Sequence, residues 1–439
     1  MALPKPSPLS FFWYCTTIIA GSLPLHSRHR LSAMQILYLN SFHGGSHAAV
    51  AEGYARHSHH QVTLLTLPIA GGWRWRMRGA AVTFARMLRA HARGAAHGMS
   101  RGAVAQDATR SRSRFDLILT TDMLDLATFL GLTRELTAGI PTAVYFHENQ
   151  LTYPLPPGRT RDLAFPWINY TSALAADAIF FNSDFHRRTF LEALPTLLGR
   201  YHDHQELDLV DTIATKAQVL PPGIDLARLD PPQNQESGAE DYAVASDPRR
   251  PAHGPPVILW NSRWEYDKNP SAFFAALEAL EARGVEFRVI VAGEHIDPQA
   301  PEFVAARARL APRTVAWGYA PDDRYRRLLW QADIVVSTAI QEFFGIGVVE
   351  AMYCGCVPIL PRRLSYPELL PPAYHTLCLY EDQDDLVEKL HAAIRDLAQL
   401  RQRDFRSVAA QYDWQRIAPR YDQALEACRE QRPRGPGAW

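Results

Sequence analysis

Two glutamates eight positions apart, Glu342 and Glu350, bracket the run Phe-Phe-Gly-Ile-Gly-Val-Val. Carboxylates so placed, one on a loop and one on a short helix, accept hydrogen bonds from hydroxyls on either side. Gly345, Ile346 and Gly347 start that helix with uncovered backbone amides, where N–H groups and the helix dipole suit a phosphate or a sugar oxygen. Upstream, the apolar run ending at Trp260 leads into Asn-Ser-Arg263-Trp-Glu-Tyr-Asp-Lys268-Asn-Pro270. Arg263 and Lys268 then lie on a loop leaving a strand and entering a helix, a position from which two cations neutralise a diphosphate. Alone, each motif reads as solvated charge; together they read as a site for a phosphorylated sugar.

The first half of the chain offers different chemistry. Near residue 40 a strand runs into Asn-Ser-Phe-His43-Gly44-Gly45-Ser46-His47. The Gly44–Gly45 pair lets backbone amides approach a donor phosphate or an acceptor, and Ser46 is placed to cap the following helix; a plain tight turn is the alternative. His147-Glu148-Asn149-Gln150 follows another short apolar run, which puts a polar cluster at the carboxyl end of a strand. Trp73-Arg74-Trp75-Arg76-Met-Arg78 reads as a loop in which arginines suit phosphates and tryptophans suit bases. It opens a stretch to Arg114 holding ten arginines against one acid, Asp107. From Arg93 onward, a solvated loop and a binding patch are equally good readings. Asn182-Ser183-Asp184 reads as a helix entry with Ser183 or Asp184 as cap. Asp382-Gln-Asp384 imitates a metal-binding Asp-x-Asp but precedes Asp385 and Glu388, spaced as a capping box, so no metal is expected.

These residues need elements to hold them. At 439 residues the chain suits two domains of roughly 150 to 200 residues each. Lysine plus arginine and aspartate plus glutamate each number 46, so any polyanion contact is local rather than general. Five scattered cysteines without zinc or disulfide spacing fit a reducing cytoplasm. Repeated strand-loop-helix units predict an α/β protein with two doubly wound, Rossmann-like domains, residues 34–229 and 257–429, and the ligand in the cleft between their sheets. Residues 230–256 read as a linker and 430–439 as a frayed tail. Residues 1–33 read as a disordered or misassigned extension, and no later run is long enough to span a membrane.

The pattern Arg263, Lys268, Glu342, Glu350, together with Phe-Gly-Ile-Gly and Cys-Gly-Cys-Val-Pro, resembles glycosyltransferase family 4, retaining enzymes of the GT-B fold that use nucleotide sugars. The resemblance implies that Glu342 contacts the donor sugar, Glu350 the ribose, and Arg263 and Lys268 the diphosphate, with no cofactor. Glu342 then orients the sugar or serves as a transient nucleophile. It also implies that His147 is the histidine many members place near the donor sugar. Pro221-Pro-Gly-Ile-Asp225 is similar to the family's Pro-Asn-Gly-Ile-Asp turn, with Pro222 in place of Asn. The first-domain motifs, with Thr-Thr-Asp-Met-Leu-Asp (residues 120–125) and Phe-Asn-Ser, look like the tRNA-queuosine mannosyltransferase family. That likeness implies GDP-mannose as donor and queuosine in the anticodon of aspartate tRNA as acceptor. His43, Ser46, His47, Trp73, Arg74, Trp75, Arg76, Glu148 and Asn149 then face the RNA. A family 4 enzyme with a glycan, lipid or small-molecule acceptor, and an RNA-binding relative without catalysis, are the rival expectations. A nicotinamide-dependent oxidoreductase is disfavoured because no Gly-x-Gly-x-x-Gly follows either domain's first strand.

Overall fold

The computed structural model describes residues 33–70, 72–97, 115–156, 158–231, 254–294 and 300–431, the side chains of 94–97 excepted. The expected extension before residue 33, most of the linker, the arginines from Arg101 to Arg114 and nearly all of the tail lie outside the described residues.

Short β-branched and aromatic runs form two six-stranded sheets, parallel throughout. The first contains β1 (Gln35–His43), β2 (Gln61–Pro68), β3 (Leu117–Thr121), β4 (Thr142–Phe146), β5 (Ala178–Phe181) and β6 (Ala217–Val219), in the order β2-β1-β3-β4-β5-β6. The second contains β7 (Val257–Asn261), β8 (Arg288–Ala292), β9 (Thr314–Gly318), β10 (Ile334–Val336), β11 (Val357–Pro361) and β12 (Leu379–Tyr380), in the order β12-β11-β10-β7-β8-β9. Each sheet reverses its direction of growth once, between β1 and β3 and between β7 and β10. Such switch points open a crevice at the strands' carboxyl ends, so they decide where a ligand sits. Two doubly wound domains are thus present as expected. The strands missing from the sequence reading, β6, β9 and β12, all lie at sheet edges.

Both faces of the first sheet are covered. Leu37 and Leu39 pack with α2 (Trp73–His97), α3 (Leu126–Thr137), α4 (Ala164–Ala175), α5 (Asp184–Leu198) and α6 (Leu209–Lys216). Ile36 and Tyr38 face α1 (Gly45–His57) and the final helix, Trp414–Gln431. This corrects the domain assignment, which placed all the last helices on the second domain. Helices Gln383–Arg395, Leu397–Leu400 and Phe405–Ala410 do pack there, but the final helix crosses back to the first sheet. Trp414 explains the return. Its indole, buried to 1% exposure, fills a slot between Gly53 and Gly223, where an added Cβ would lie 2.0 and 2.3 Å from ring atoms. Burying a ring of this kind removes on the order of 150–250 Å² from water. The Pro-Pro-Gly-Ile-Asp turn is therefore a docking seat, and Trp414 N donates to Ile224 O at 3.2 Å.

The capping box is also displaced. The helix starts at Gln383, and Asp382 caps it by accepting from Asp385 N at 2.9 Å. Glu388 instead pairs with Arg283. Among the described residues no helix is long and apolar enough to cross a membrane.

Candidate functional site

The second domain builds its half of the site at the β7/β10 switch point. After β7 the chain makes a 3₁₀ turn, Tyr266–Lys268, passes Asn269 in the left-handed region at φ +49°, and starts a helix with Pro270. Asn tolerates that conformation and proline suits the first helical turn, so the loop is fixed locally. Lys268, 8% exposed, donates to Gln341 O at 2.8 Å and sits 3.0 Å from Asp267 Oδ2 and 3.3 Å from Glu342 Oε2. Burial alone would lower its pKa; the two carboxylates outweigh that and hold it above the ordinary lysine value. Arg263 is half-exposed and pairs with Glu265 at 3.2 Å. Its pKa too is raised, the surrounding carboxylates outweighing burial.

Gly345, at φ +105°, turns the chain from β10 into the helix Ile346–Tyr353. Gly347 admits close contact, because a Cβ there would meet Asn261 Nδ2 at 2.8 Å. Asn261 donates to Gly347 O at 3.1 Å and to the Tyr325 hydroxyl at 2.7 Å, and Tyr325 donates to Glu350 Oε2 at 2.6 Å. Arg228, at the end of the first domain, closes the chain on Glu350 Oε1. Glu350 is thereby buried, with both carboxylate oxygens paired. Of the four residues of the sequence motif, Lys268 joins Glu342 directly, and Glu350 is tied through Tyr325 to Asn261 on the loop that carries Arg263.

The first domain supplies its half at the β1/β3 switch point and the end of β4. Asn40 ties the loop down, donating to His47 O at 2.9 Å and accepting from Phe42 N at 3.2 Å. Gly45, at φ +51°, turns into α1, whose N-cap is Gly44 without a side-chain bond. Ser46 is exposed in the first turn, so its capping role is not realised. His43 is held between Asn40 and Glu52. Asp122, at the end of β3, accepts from His147 N at 2.9 Å. His47 and His147 pack with ring centroids 4.0 Å apart and planes tilted by 33°, and His47 Nδ1 and His147 Nε2 are buried without hydrogen-bond partners among the described residues. Burial, then Arg263 and His43, lower His47 to about 3. Burial, then His47 and His186, lower His147 well below the usual range. Both rings are neutral at pH 7.

Glu148 accepts from Gln150 Nε2 at 3.0 Å. Burial pushes it up to about 7, with Arg263 and Lys268 pulling down and Asp267 and Glu265 pushing up. The same charges act on both domains' residues, so the halves face one another. Asn149 departs from its expected substrate role: its Oδ1 accepts from the Leu151 and Thr152 amides at 2.9 Å, which makes it the staple of the turn.

The Trp-Arg run is the start of α2 rather than a loop. Trp73 packs 4.9 Å from Phe165, and Arg78 pairs with Asp162. Arg74 and Trp75 remain exposed. Arg76 does not: at 5% exposure, it donates to the carbonyls of Pro68 and Ala70 and pins the turn before α2. It is a structural residue, which corrects the expectation that it faces RNA.

Several site residues carry no local sequence signal. Arg228 and Tyr325 reach Glu350 from distant segments. Tyr153 bridges the domains by donating to Asp267 at 3.1 Å, and Phe343 stacks on His186 at 3.8 Å. Glu368 accepts from the Asp184 and Phe185 amides at the start of α5, which Ser183 caps as expected. Of these, Asp267 was nearest to legible, lying between Arg263 and Lys268.

Residues 35–224 match a family model of the tRNA-queuosine alpha-mannosyltransferase N-terminal domain, and residues 245–411 match glycosyl transferases group 1. A tRNA-queuosine alpha-mannosyltransferase of Drosophila melanogaster is 33% identical over 361 residues, covering 81% of this chain and 86% of that protein. A GDP-mannose:cellobiosyl-diphosphopolyprenol alpha-mannosyltransferase of Xanthomonas oryzae is 27% identical over 38% of this chain and 45% of its own length. Among solved structures, Anabaena Alr3699/HepE in complex with UDP and glucose superposes with TM-score 0.59 at 18% identity, over 90% of this chain and all of that one. Sucrose-phosphate synthase from Thermosynechococcus elongatus does so with TM-score 0.60 at 16% identity, covering 90% and 98%. The fold is GT-B, and the chain is a glycosyltransferase.

Proposed function

The chain belongs to the tRNA-queuosine alpha-mannosyltransferase family, and from that premise we propose that it transfers mannose from GDP-mannose to queuosine in the anticodon of aspartate tRNA, with retention, in the cytoplasm. The observation that carries this reading is the pairing of two halves. A relative named as a tRNA-queuosine alpha-mannosyltransferase aligns across both domains, and Arg263 and Lys268 face the first-domain cluster of His47, His147 and Glu148.

In this reading the diphosphate lies against Arg263, Lys268 and the amides from Gly345 to Gly347. The bond from mannose C1 to the diphosphate oxygen breaks, and a bond from C1 to the acceptor hydroxyl oxygen forms on the same face. The hydroxyl proton passes to the departing phosphate oxygen, so GDP leaves and no protein base is required. Arg263 and Lys268 stabilise the charge that grows on that oxygen, which is where preorganised electrostatics lower a barrier most. Neutral His147 offers a hydrogen bond to the sugar, and Glu342 orients it. No cofactor or metal enters this scheme. Arg74 and Trp75 supply phosphate and base contacts at the rim.

The test is incubation of the purified protein with queuosine-bearing tRNA and a panel of nucleotide sugars, read by nucleoside mass spectrometry. A hexose mass added to queuosine from GDP-mannose is the expected result. Transfer to another acceptor, or from another donor, would replace the reading with a different family 4 activity.

A further inference from the structure

The charges in the cleft do not balance. Arg263 and Lys268 face the carboxylates of Glu265, Asp267 and Glu342, while Glu148 and Asp122 behind it are both pushed by burial toward their protonated forms. Three of these acids have firm partners. Glu265 pairs with Arg263, while Asp267 and Glu342 share Lys268, and Asp267 also accepts from Tyr153. Among the described residues, the side-chain donor to Glu148 is the neutral Gln150 amide. Next to it, His147 packs on His47, which is 6% exposed with a buried, unpartnered Nδ1. Across the cleft, Gln341 is equally buried and its Nε2 is likewise unpartnered. Native proteins leave such groups unpaired mainly where something else pairs with them.

A diphosphate held by Arg263 and Lys268 adds negative charge beside Glu265, Asp267 and Glu342, which share the same two cations. A second substrate that brings positive charge would offset this excess. This step rests on the acceptor proposed above: queuosine carries its cyclopentenediol through a secondary amine, protonated in neutral water, a few bonds from the hydroxyl that would receive the sugar.

We propose that Glu148 forms an ammonium subsite that reads the amine of the acceptor and thereby sets the diol against the donor. Glu148 sits at the end of β4, beside His147 on the sugar side and within the field of Arg263 on the diphosphate side. A carboxylate there pairs with the acceptor's N–H groups while the hydroxyl points to the sugar carbon. Burial holds Glu148 near neutrality in the free protein, and an arriving ammonium favours its ionised form, so binding charges the pair together. An unmodified guanosine at the same place in the RNA has no such cation, which gives the site a means of rejecting it.

The experiment compares wild type with Glu148→Gln, an isosteric change, and Glu148→Asp. KM values for queuosine tRNA and for GDP-mannose are measured separately, together with inhibition by queuosine nucleoside and by its N-acetylated form, which is neutral. The expected result is a rise in the tRNA KM of about 10- to 100-fold in Glu148→Gln, partial recovery in Glu148→Asp, and an unchanged GDP-mannose KM. Wild type should prefer the free amine over the acetylated nucleoside, and Glu148→Gln should bind the two alike. An unchanged tRNA KM, or an equal rise for GDP-mannose, overturns the subsite while leaving the transferase reading intact. A wild type that does not modify queuosine tRNA overturns the acceptor reading and the subsite with it.

Discussion

The two halves of the cleft treat polarity in opposite ways. In the second domain, Lys268 meets two carboxylates and a carbonyl, Glu350 meets a hydroxyl and a guanidinium, and Arg263 meets Glu265. In the first domain, His47, His147, His186 and Thr121 each keep a buried polar atom without a partner, against Gln341 Nε2 on the other side of the cleft. A half already saturated with fixed charge can stabilise charge that develops during a reaction without reorganising. A half with unspent hydrogen-bonding capacity is arranged for a partner that arrives with its own donors and acceptors. In the proposed reading the second domain holds the diphosphate, and the first offers its open groups to the sugar and the acceptor.

The contrast breaks most visibly at Arg263. It is half-exposed and its partner Glu265 keeps some solvent contact, so its removal disturbs the fold less than removal of the buried Lys268. Arg263→Ala should lower turnover roughly 100-fold or more while leaving the tRNA KM near wild type, as steady-state kinetics with each substrate varied will show. Near-normal turnover with an intact fold would mean that the charged half is scaffolding rather than site.

A smaller effect sharpens the other side. Arg74 and Arg76 are two positions apart, yet one is exposed and the other is consumed by the Pro68 and Ala70 carbonyls. Arg74→Ala should weaken tRNA binding severalfold and reduce the slope of log affinity against log salt by about one, with no change in melting temperature. Arg76→Ala should do the reverse, lowering the melting temperature while the salt slope stays. Parallel behaviour of the two variants in a filter-binding salt series would erase the distinction drawn between them.

That pair also shows where sequence reading stops. The run Trp73 to Arg78 advertises phosphate and base contacts by composition, but composition does not say which arginine the β2-to-α2 turn recruits. The second-domain half was legible because its residues lie on two short segments, Asn261–Pro270 and Glu342–Glu350, whose glycines and proline dictate local backbone. Arg228 and Tyr325 were hidden because they reach Glu350 from segments with no motif of their own. The same holds for the final helix: Trp414 looked like one more apolar residue until Gly53 and Gly223, far away in the chain, proved to be the slot that receives it. The fold class followed from strand and helix periodicity, while the edge strands β6, β9 and β12 were too short or too exposed to show it.

The smallest expected effect concerns the under-charged half itself and can be read without any substrate. Glu148 is raised in the folded protein from 4.5 to about 7, chiefly by burial. Between those values the folded state keeps a proton that the unfolded state has lost. Stability from this group is therefore fully present below about 4.5 and declines as pH rises through about 7. Glutamine does not titrate, so Glu148→Gln should gain on wild type between pH 5 and pH 8, by a shift on the order of 2–4 °C in melting temperature. Arg263→Ala should enlarge the wild-type decline, because Arg263 is the main charge pulling Glu148 down. Calorimetry over that pH range decides it. Wild-type and Glu148→Gln curves that run parallel would show Glu148 adequately paired already, and the difference between the two halves of the cleft would then lie in the histidines alone.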